Sequence, residues 1–308
     1  MATATTQAPI EHVSDTARWV AVYRAMESER PDAIFRDPFA RRLAGMKGEE
    51  IVRSLQRGRQ MAWAMIVRTA VFDEIILARI RAGADLVVNL AAGLDARPWR
   101  LDLPPSLHWV DVDLPDILRY KAQTIGDTPP RCRYEAIPTD LTDADARRSL
   151  FARLGAGARN ALVITEGLLL YLTAEQVGAL AADLHAVPGF RWWLIDLANP
   201  RLLAMMTRMW GGTVDRGNAT FRFAPAEGTA FFAPFGWREV EFRSSLEEAR
   251  RLRREMSMMW LWRFLGRFSS AERKEETRRM SGTVLLERSA RSDQRGARSE
   301  ERGARSDE

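Results

Sequence analysis

Three carboxylates and one small-residue turn carry the chemistry this sequence could perform. The turn is "NLAAGLD" (89–95), the acids are Asp113 in "WVDVDLP", Asp140 in "PTDL" and Glu166 in "ITEGLLLYL". Each follows an apolar, strand-like run. Ala91, Ala92 and Gly93 leave little side chain on the turn, so a ligand can approach the backbone there and be hydrogen-bonded by it. Asp113 lies twenty residues after Gly93, at the end of the next strand. An acid in that place typically takes the ribose hydroxyls of a nucleoside cofactor. At the third strand end, Asp140 could meet an adenine amino group. Taken singly, each acid could be the cap of the following helix, and Asp113, just before "LPDILRYK", could cap it. Small or acidic residues at four strand ends in register point instead to one ligand site.

The turn also selects the nucleoside. A dinucleotide site would read G-x-G-x-x-G, with pyrophosphate at the helix N-terminus. Here the residues are A-A-G-L-D-A, and Asp95 would bring negative charge where pyrophosphate sits. A cationic sulfonium tolerates that acid, so S-adenosyl-L-methionine is favoured over NAD. An NAD(P)-dependent oxidoreductase is the alternative from another class, and the missing glycines count against it.

The elements that must hold these residues alternate. Strand-like runs occur at 84–91, 107–115, 132–141, 160–172 and 190–198, each followed by a helical or turn-forming stretch. This alternation predicts an α/β, Rossmann-like doubly wound parallel sheet. Two later runs, 236–244 and 282–290, add strands, with two helices expected between them. Residues 13–82 are helical by periodicity, the first helix capped by Ser14 or Asp15, a short helix following "RPDAIFRDPFARRLAG", and a long amphipathic one covering 58–83. The expected organisation is an unstructured 1–12, a single domain over 13–290 (helical lid 13–82, cofactor-binding core 84–200, acceptor-pocket region 201–280) and a tail, 291–308. The tail repeats every seven residues ("ARSDQRG", "ARSEERG"). Alanine is its only apolar residue, so no coiled-coil seam can form and a disordered tail is expected.

Composition narrows the classes. The 308 residues are 46% hydrophobic and 28% charged, with a formal net charge of +5. Arginines alternate with acids, as in "EEARRLRRE", rather than forming the one-signed stripe that nucleic-acid binding wants. No apolar run reaches the ~18 residues of a membrane span, and the N-terminus does not read as a signal peptide. Cys132 is the single cysteine, which excludes an internal disulfide. A cytoplasmic protein without metal, membrane or nucleic acid is expected.

Several stretches together resemble the leucine carboxyl methyltransferase family of class I S-adenosylmethionine-dependent methyltransferases, especially its bacterial branch acting on natural products such as polyketides. They are "TARWVAVYRAMESERPDAIFRDPFARRLAG", "VRTAVFDEIIL", "VVNLAAGLDARPWRLDLP", "VDVDLPDILRYK", "TDL", "ITEGLLLYL" and "GWREVEFRSSLEEARRL", spread over most of 13–290. The resemblance implies a seven-stranded, mostly parallel sheet whose last strand is antiparallel, with "GTVLLERSA" as an inserted edge hairpin partner. It also implies roles. Arg68 would pair with the cofactor's carboxylate, Gly93 and the Ala91 turn would lie against its methionine portion, and Asp113 would hold the ribose. Asp140 and Leu141 would hold the adenine, Glu166 would lie by the amino group, and Tyr171 would face the reacting methyl. Trp19, Tyr23 and Arg24 would form the lid. The family pattern more often reads "NLGAGLD". Ala91 costs little if its φ is negative, and more if the missing glycine supplied a positive φ. Arg97 reads as structural.

The acceptor pocket is expected from the less family-like region, with Met205, Met206, Met209, Trp210, Phe221, Phe223, Phe231, Phe232 and Phe235, and from Met256, Met258, Met259, Trp260 and Trp262. Methionines and aromatics suit a bulky apolar acceptor, although the same residues serve equally as core or as a dimer surface. The three histidines, His12, His108 and His185, occupy no strand-end loop. An acceptor that is ionised at pH 7, a carboxylate or an acidic hydroxyl, needs no base. Methylation of a protein C-terminus and C-methylation of a small molecule stay open, as do the oligomeric state and the acceptor's identity.

Overall fold

The computed structural model describes residues 15–55, 61–214, 220–256 and 270–289. Seven strands form one sheet: β1 (Leu86–Leu90), β2 (His108–Asp113), β3 (Arg133–Pro138), β4 (Ala161–Thr165), β5 (Phe190–Ala198), β6 (Trp237–Ser244) and β7 (Ser281–Arg288). Their spatial order is β3-β2-β1-β4-β5-β7-β6. The first five pair in parallel, and β7 runs antiparallel to both β5 and β6. All seven expected runs are strands. The run 160–172 is shorter than expected. It ends at Thr165, because Gly167 takes φ +69° and the chain then coils into a 3-10 turn over Leu169–Tyr171. As expected, "GTVLLERSA" is an inserted antiparallel strand: β7 lies between β5 and β6 and pairs with β6, which takes the edge.

The central strands β1 and β4 are buried at every residue, because helices cover both faces of the sheet. On one face, Val88, Val110, Val163, Trp193 and Ile195 pack beneath α6 (Ala144–Gly155) and α7 (Ala174–His185). On the other, Val87, Trp109, Leu162 and Leu194 meet Val67, Val71, Phe72 and Ile76 of α3 (Ala62–Arg81). Local signals start the helices on this frame. Thr173 and Gln176 form a reciprocal capping box on α7, and Asp143 accepts from the amides of Asp145 and Ala146 at the start of α6.

A third apolar cluster builds the N-terminal layer. Trp19, Val22 and Tyr23 of α1 (Asp15–Ser28) pack with Leu43 and Ile51 of α2 (Ala40–Ser54) and Ile117 of α5 (Pro115–Ile125). Asp15 lies inside α1 and pairs with Lys47 at 2.9 Å; Ser14 is outside the described residues. Where a short helix was expected, α2 runs for 15 residues and kinks at Gly45, whose φ is +60°.

The expected acceptor aromatics divide. Phe231, Phe232 and Phe235 belong to the sheet core, because the turn Gly228–Phe235 lies on α7 and β5. Phe232 meets Trp193 edge-on at 5.3 Å, and Phe235 fills the space where a Cβ on Gly178 would be 2.7 Å away. Between β6 and β7 come α9 (Ser245–Arg251) and α10 (Ala271–Arg278). Met258, Met259, Trp260 and Trp262 lie outside the described residues, as do the tail 291–308 and the side chain of Trp210.

Strand order reverses between β1 and β4: β2 and β3 extend the sheet one way, and β5 onward the other. Open α/β sheets bind ligands at this switch point, beyond the strands' carboxyl ends. Below it sits a buried ion pair. Asp111 of β2, fully buried, accepts from Lys121 Nζ of α5 at 2.5 Å, and also from Asn89, Trp109 Nε1 and Tyr134. Lys121→Met leaves that carboxylate without its cation and should cost about 3–5 kcal/mol in urea unfolding. Ala91 adopts φ +52°, the left-handed region where its Cβ is strained. Ala91→Gly should raise stability by about 0.5–1 kcal/mol, the released strain exceeding the extra freedom that glycine gives the unfolded chain. A melting temperature unchanged or lowered would refute that accounting.

Candidate active site

The turn after β1 is built to hold a carboxylate close. Ala91 and Gly93 both have positive φ, +52° and +50°. This bend brings the Gly93 N–H to Asp113 Oδ2 at 2.6 Å, while Leu114 N donates to Oδ1 at 2.7 Å. Asp113 therefore does not cap α5, which has no side-chain cap. A Cβ on Gly93 would lie 3.0 Å from the Ala17 Cβ of α1, so glycine is also what lets α1 pack close against the turn. Burial pushes the Asp113 carboxyl above its usual pKa, against the two backbone N–H groups that favour its ionised form. Further hydrogen-bond donors, such as vicinal hydroxyls, would relieve that cost.

Beside it, alternating charges cross the strand ends. Asn89 donates to Asp95 at 3.0 Å. Arg97 reaches Asp95 at 2.8 Å, Asp73 at 2.6 Å and Glu166 Oε2 at 2.7 Å. The other oxygen of Glu166 accepts from Arg68 Nε at 3.0 Å, and Arg68 also donates to Asp196 at 3.0 Å. Asp196 in turn accepts from Gly167 N at 2.6 Å. Burial disfavours the charge on Glu166, but Arg97 and Arg68 outweigh it and hold its pKa below the usual carboxylate range. Burial likewise opposes ionisation of Asp95, yet Arg97, Arg100 and Lys121 bring its pKa down to about 2. Asp95 is thus neutralised in place, and it is not a free charge facing a ligand. Arg97 is 2% exposed and ties β1's turn to β4's end.

One cavity of about 1180 Å³ opens over this row. Its wall contains Arg68, Ala91, Gly93, Asp113, Asp140, Leu141, Glu166 and Tyr171, and equally Trp19, Tyr23, Arg24, Met205, Met209 and Phe221. These fourteen residues line the same space, as do Met206, Phe223 and Met256, whereas Phe231, Phe232 and Phe235 do not. Their states differ. Asp140 is exposed, and its Oδ1 accepts from the Thr142 amide and hydroxyl. Tyr171 packs against Phe221 with ring centroids 5.7 Å apart. Burial raises its pKa, opposed by a hydrogen bond from Thr16, so its phenol is neutral at pH 7. Arg24 is committed to the fold, donating to Asp37 at 2.8 Å and to the Leu94 carbonyl at 2.6 Å. It braces α1 against the turn and has less to offer a ligand than expected. Arg68 has five N–H donors. Two are given to Glu166 and Asp196, and others remain for a carboxylate. Among the wall residues that escaped the sequence reading are Asp196 and Arg222. Asp196 lies near the end of β5 as Glu166 follows β4, so the same strand-end rule pointed to it. Arg222 stood in no recognisable pattern.

No group of three or more His, Cys, Asp or Glu among the described residues could hold a metal ion. No helix among them is long and apolar enough to cross a membrane. The depressed pKa of Asp95 has a consequence for stability. An acid whose folded pKa lies below its unfolded value stabilises above the unfolded pKa, ~3.9, and loses that contribution as pH falls toward about 2. Asp95→Asn should cost on the order of 2 kcal/mol at pH 7, with the difference from wild type shrinking by pH 3 in urea titrations.

Comparison with known proteins places this geometry. The sequence profile described as leucine carboxyl methyltransferase matches residues 17–185, which contain every strand end from β1 to β4. A relative from Parafrankia sp., named provisionally as an S-adenosyl-L-methionine-dependent methyltransferase, is 38% identical over 196 residues. That alignment covers 60% of this chain and 63% of the relative, so it spans less than two thirds of that protein. A relative from Mycobacterium avium with the same provisional name is 31% identical over 255 residues, covering 74% of this chain and 80% of its own. Among solved structures, a DUF574 family protein from Streptomyces avermitilis superposes with a TM-score of 0.54 at 14% identity, over 89% of this chain and 97% of that one. A protein from Thermobifida fusca gives 0.52 at 14%, over 92% and 96%. These two show the fold, and with the profile match and the row of strand-end acids, the chain belongs to the leucine carboxyl methyltransferase family.

Proposed function

We propose that the protein is an S-adenosyl-L-methionine-dependent O-methyltransferase acting on a bulky, apolar small molecule of natural-product type, through a carboxylate or acidic hydroxyl. The observation that carries this is one cavity whose wall combines two chemistries, the charged Asp113, Asp140, Glu166 and Arg68 and the apolar Met205, Met206, Met209, Phe221 and Phe223. Its volume of about 1180 Å³ exceeds the ~300–1,000 Å³ of a pocket for one ligand. The space suits a nucleoside cofactor and an acceptor side by side.

In this reading Asp113 accepts from the ribose hydroxyls, Asp140 and Leu141 meet the adenine, and Gly93 and Ala91 lie along the methionine portion. Arg68 uses its remaining donors on the cofactor's carboxylate, and Glu166 lies near its ammonium. The cofactor, when bound, supplies an activated methyl on a cationic sulfur. The chain's part is alignment, which can be worth ~7–11 kcal/mol when reacting atoms are held in line. Tyr171, neutral and fixed against Phe221, faces that methyl as a positioning group. No histidine lines the cavity among the described residues, which favours an acceptor already ionised at pH 7. The apolar lid residues Trp19 and Tyr23 keep water from the site. We place the reaction in the cytoplasm, in the biosynthesis of a small molecule.

Titration calorimetry with S-adenosylhomocysteine, with NAD as the control, tests the cofactor assignment. One-site binding of the first and no heat from the second is expected. Asp113→Ala should weaken it at least about tenfold, since each hydrogen bond to a charged acceptor contributes ~1.5–3 kcal/mol. Wild-type affinity in that variant would remove Asp113 from the site.

A further inference from the structure

Five arginines line the cavity among the described residues: Arg24, Arg68, Arg97, Arg147 and Arg222. Four are occupied. Arg24 is held by Asp37 and Leu94, Arg68 by Glu166 and Asp196, and Arg97 by Asp73, Asp95 and Glu166. Arg147 donates to Asp183 and the Leu141 carbonyl. Arg222 differs. Among the described residues its guanidinium has no acid or carbonyl partner, although Glu175, Asp140 and Asp196 line the same space.

Its backbone, by contrast, is fixed. Phe221 and Phe223 on either side are 6% and 3% exposed, each packed into an apolar cluster. The Arg222 N–H donates to the Leu170 carbonyl at 2.8 Å, tying the segment to the 3-10 turn that carries Tyr171. Phe221 itself packs on Tyr171. An exposed cation is thereby held on an anchored segment beside the turn that carries Tyr171, in the wall of the cavity that Met205, Met206 and Met209 also line.

We propose that Arg222 is the specificity-determining residue for the acceptor, recognising an anionic group carried on its apolar body. The planar guanidinium offers paired N–H donors that match a carboxylate fork. This rests on the methyltransferase reading, because it assumes that the chamber beside Tyr171 receives the acceptor.

The test uses the full chain saturated with S-adenosylhomocysteine and three matched probe pairs: dodecanoate, 2-naphthoate and 4-phenylbenzoate, each against its methyl ester. Affinities are read by calorimetry or by competition with a fluorescent fatty acid. Wild type should bind at least one acid about tenfold or more tightly than its ester. Arg222→Gln should remove that preference while retaining ester affinity, and Arg222→Lys should restore part of it. S-adenosylhomocysteine affinity should be equal in all three proteins, which also shows that the variants fold. No acid preferred over its ester in wild type, or a preference that survives Arg222→Gln, overturns the proposal. Loss of S-adenosylhomocysteine binding by wild type instead overturns the methyltransferase reading on which it stands.

Discussion

Buried acids at the ends of parallel strands must be paired, and the whole site is organised by how that requirement is met. From Asp111 to Asp196 the carboxylates of four adjacent strand ends are linked through Lys121, Asn89, Arg97 and Arg68. Each cation touches elements distant in sequence: Arg68 comes from α3, and its partners lie after β4 and in β5. The chain cannot close this row without also setting the separations between strand ends. In the low-dielectric crevice each acid without its cation would carry a desolvation cost of several kcal/mol, so the network fixes geometry even where it adds little net stability.

Asp113 stands apart from that row. Its carboxylate has only backbone N–H donors, from Gly93 and Leu114, and burial raises its pKa. Asp95 and Glu166 have been satisfied by arginines, whereas Asp113 has been left with capacity to accept more. That contrast distinguishes acids that hold the fold from one suited to a ligand. The turn that delivers Gly93 to it requires two positive φ angles, one of them imposed on Ala91. Strain at this cavity-lining turn is tolerated because the strands on both sides, and the Ala92 N–H bonded to the Val112 carbonyl, determine the path of the chain.

The helical layer supplies the other half of the cavity. α1 brings Trp19 and Tyr23 over the turn, and α8 (Pro200–Val214) brings Met205, Met206 and Met209 opposite. Flexible thioethers there can follow the outline of an apolar molecule, while rigid aromatics of the Phe231–Phe235 group are drawn into the sheet core by Trp193 and Gly178. Adaptable wall and fixed charge row thus face each other across one space.

What the sequence determined by itself was the period. Apolar runs alternating with helical stretches specified all seven strands and the parallel sheet, and the strand-end rule placed Asp113, Asp140 and Glu166 at one site, because both signals are local and follow from backbone repeat. The tertiary structure decided what depends on partners far along the chain. The order that inserts β7 between β5 and β6, the pairing of Arg24 with Asp37, and the recruitment of Asp196 to hold Arg68 arise from contacts spanning up to 128 residues. The sign of φ at Ala91 was likewise open in sequence, since alanine takes negative φ freely and positive φ only at a cost that the surrounding strands must impose. Whether an arginine is structural or available is a property of its neighbours, and residue type alone does not carry it.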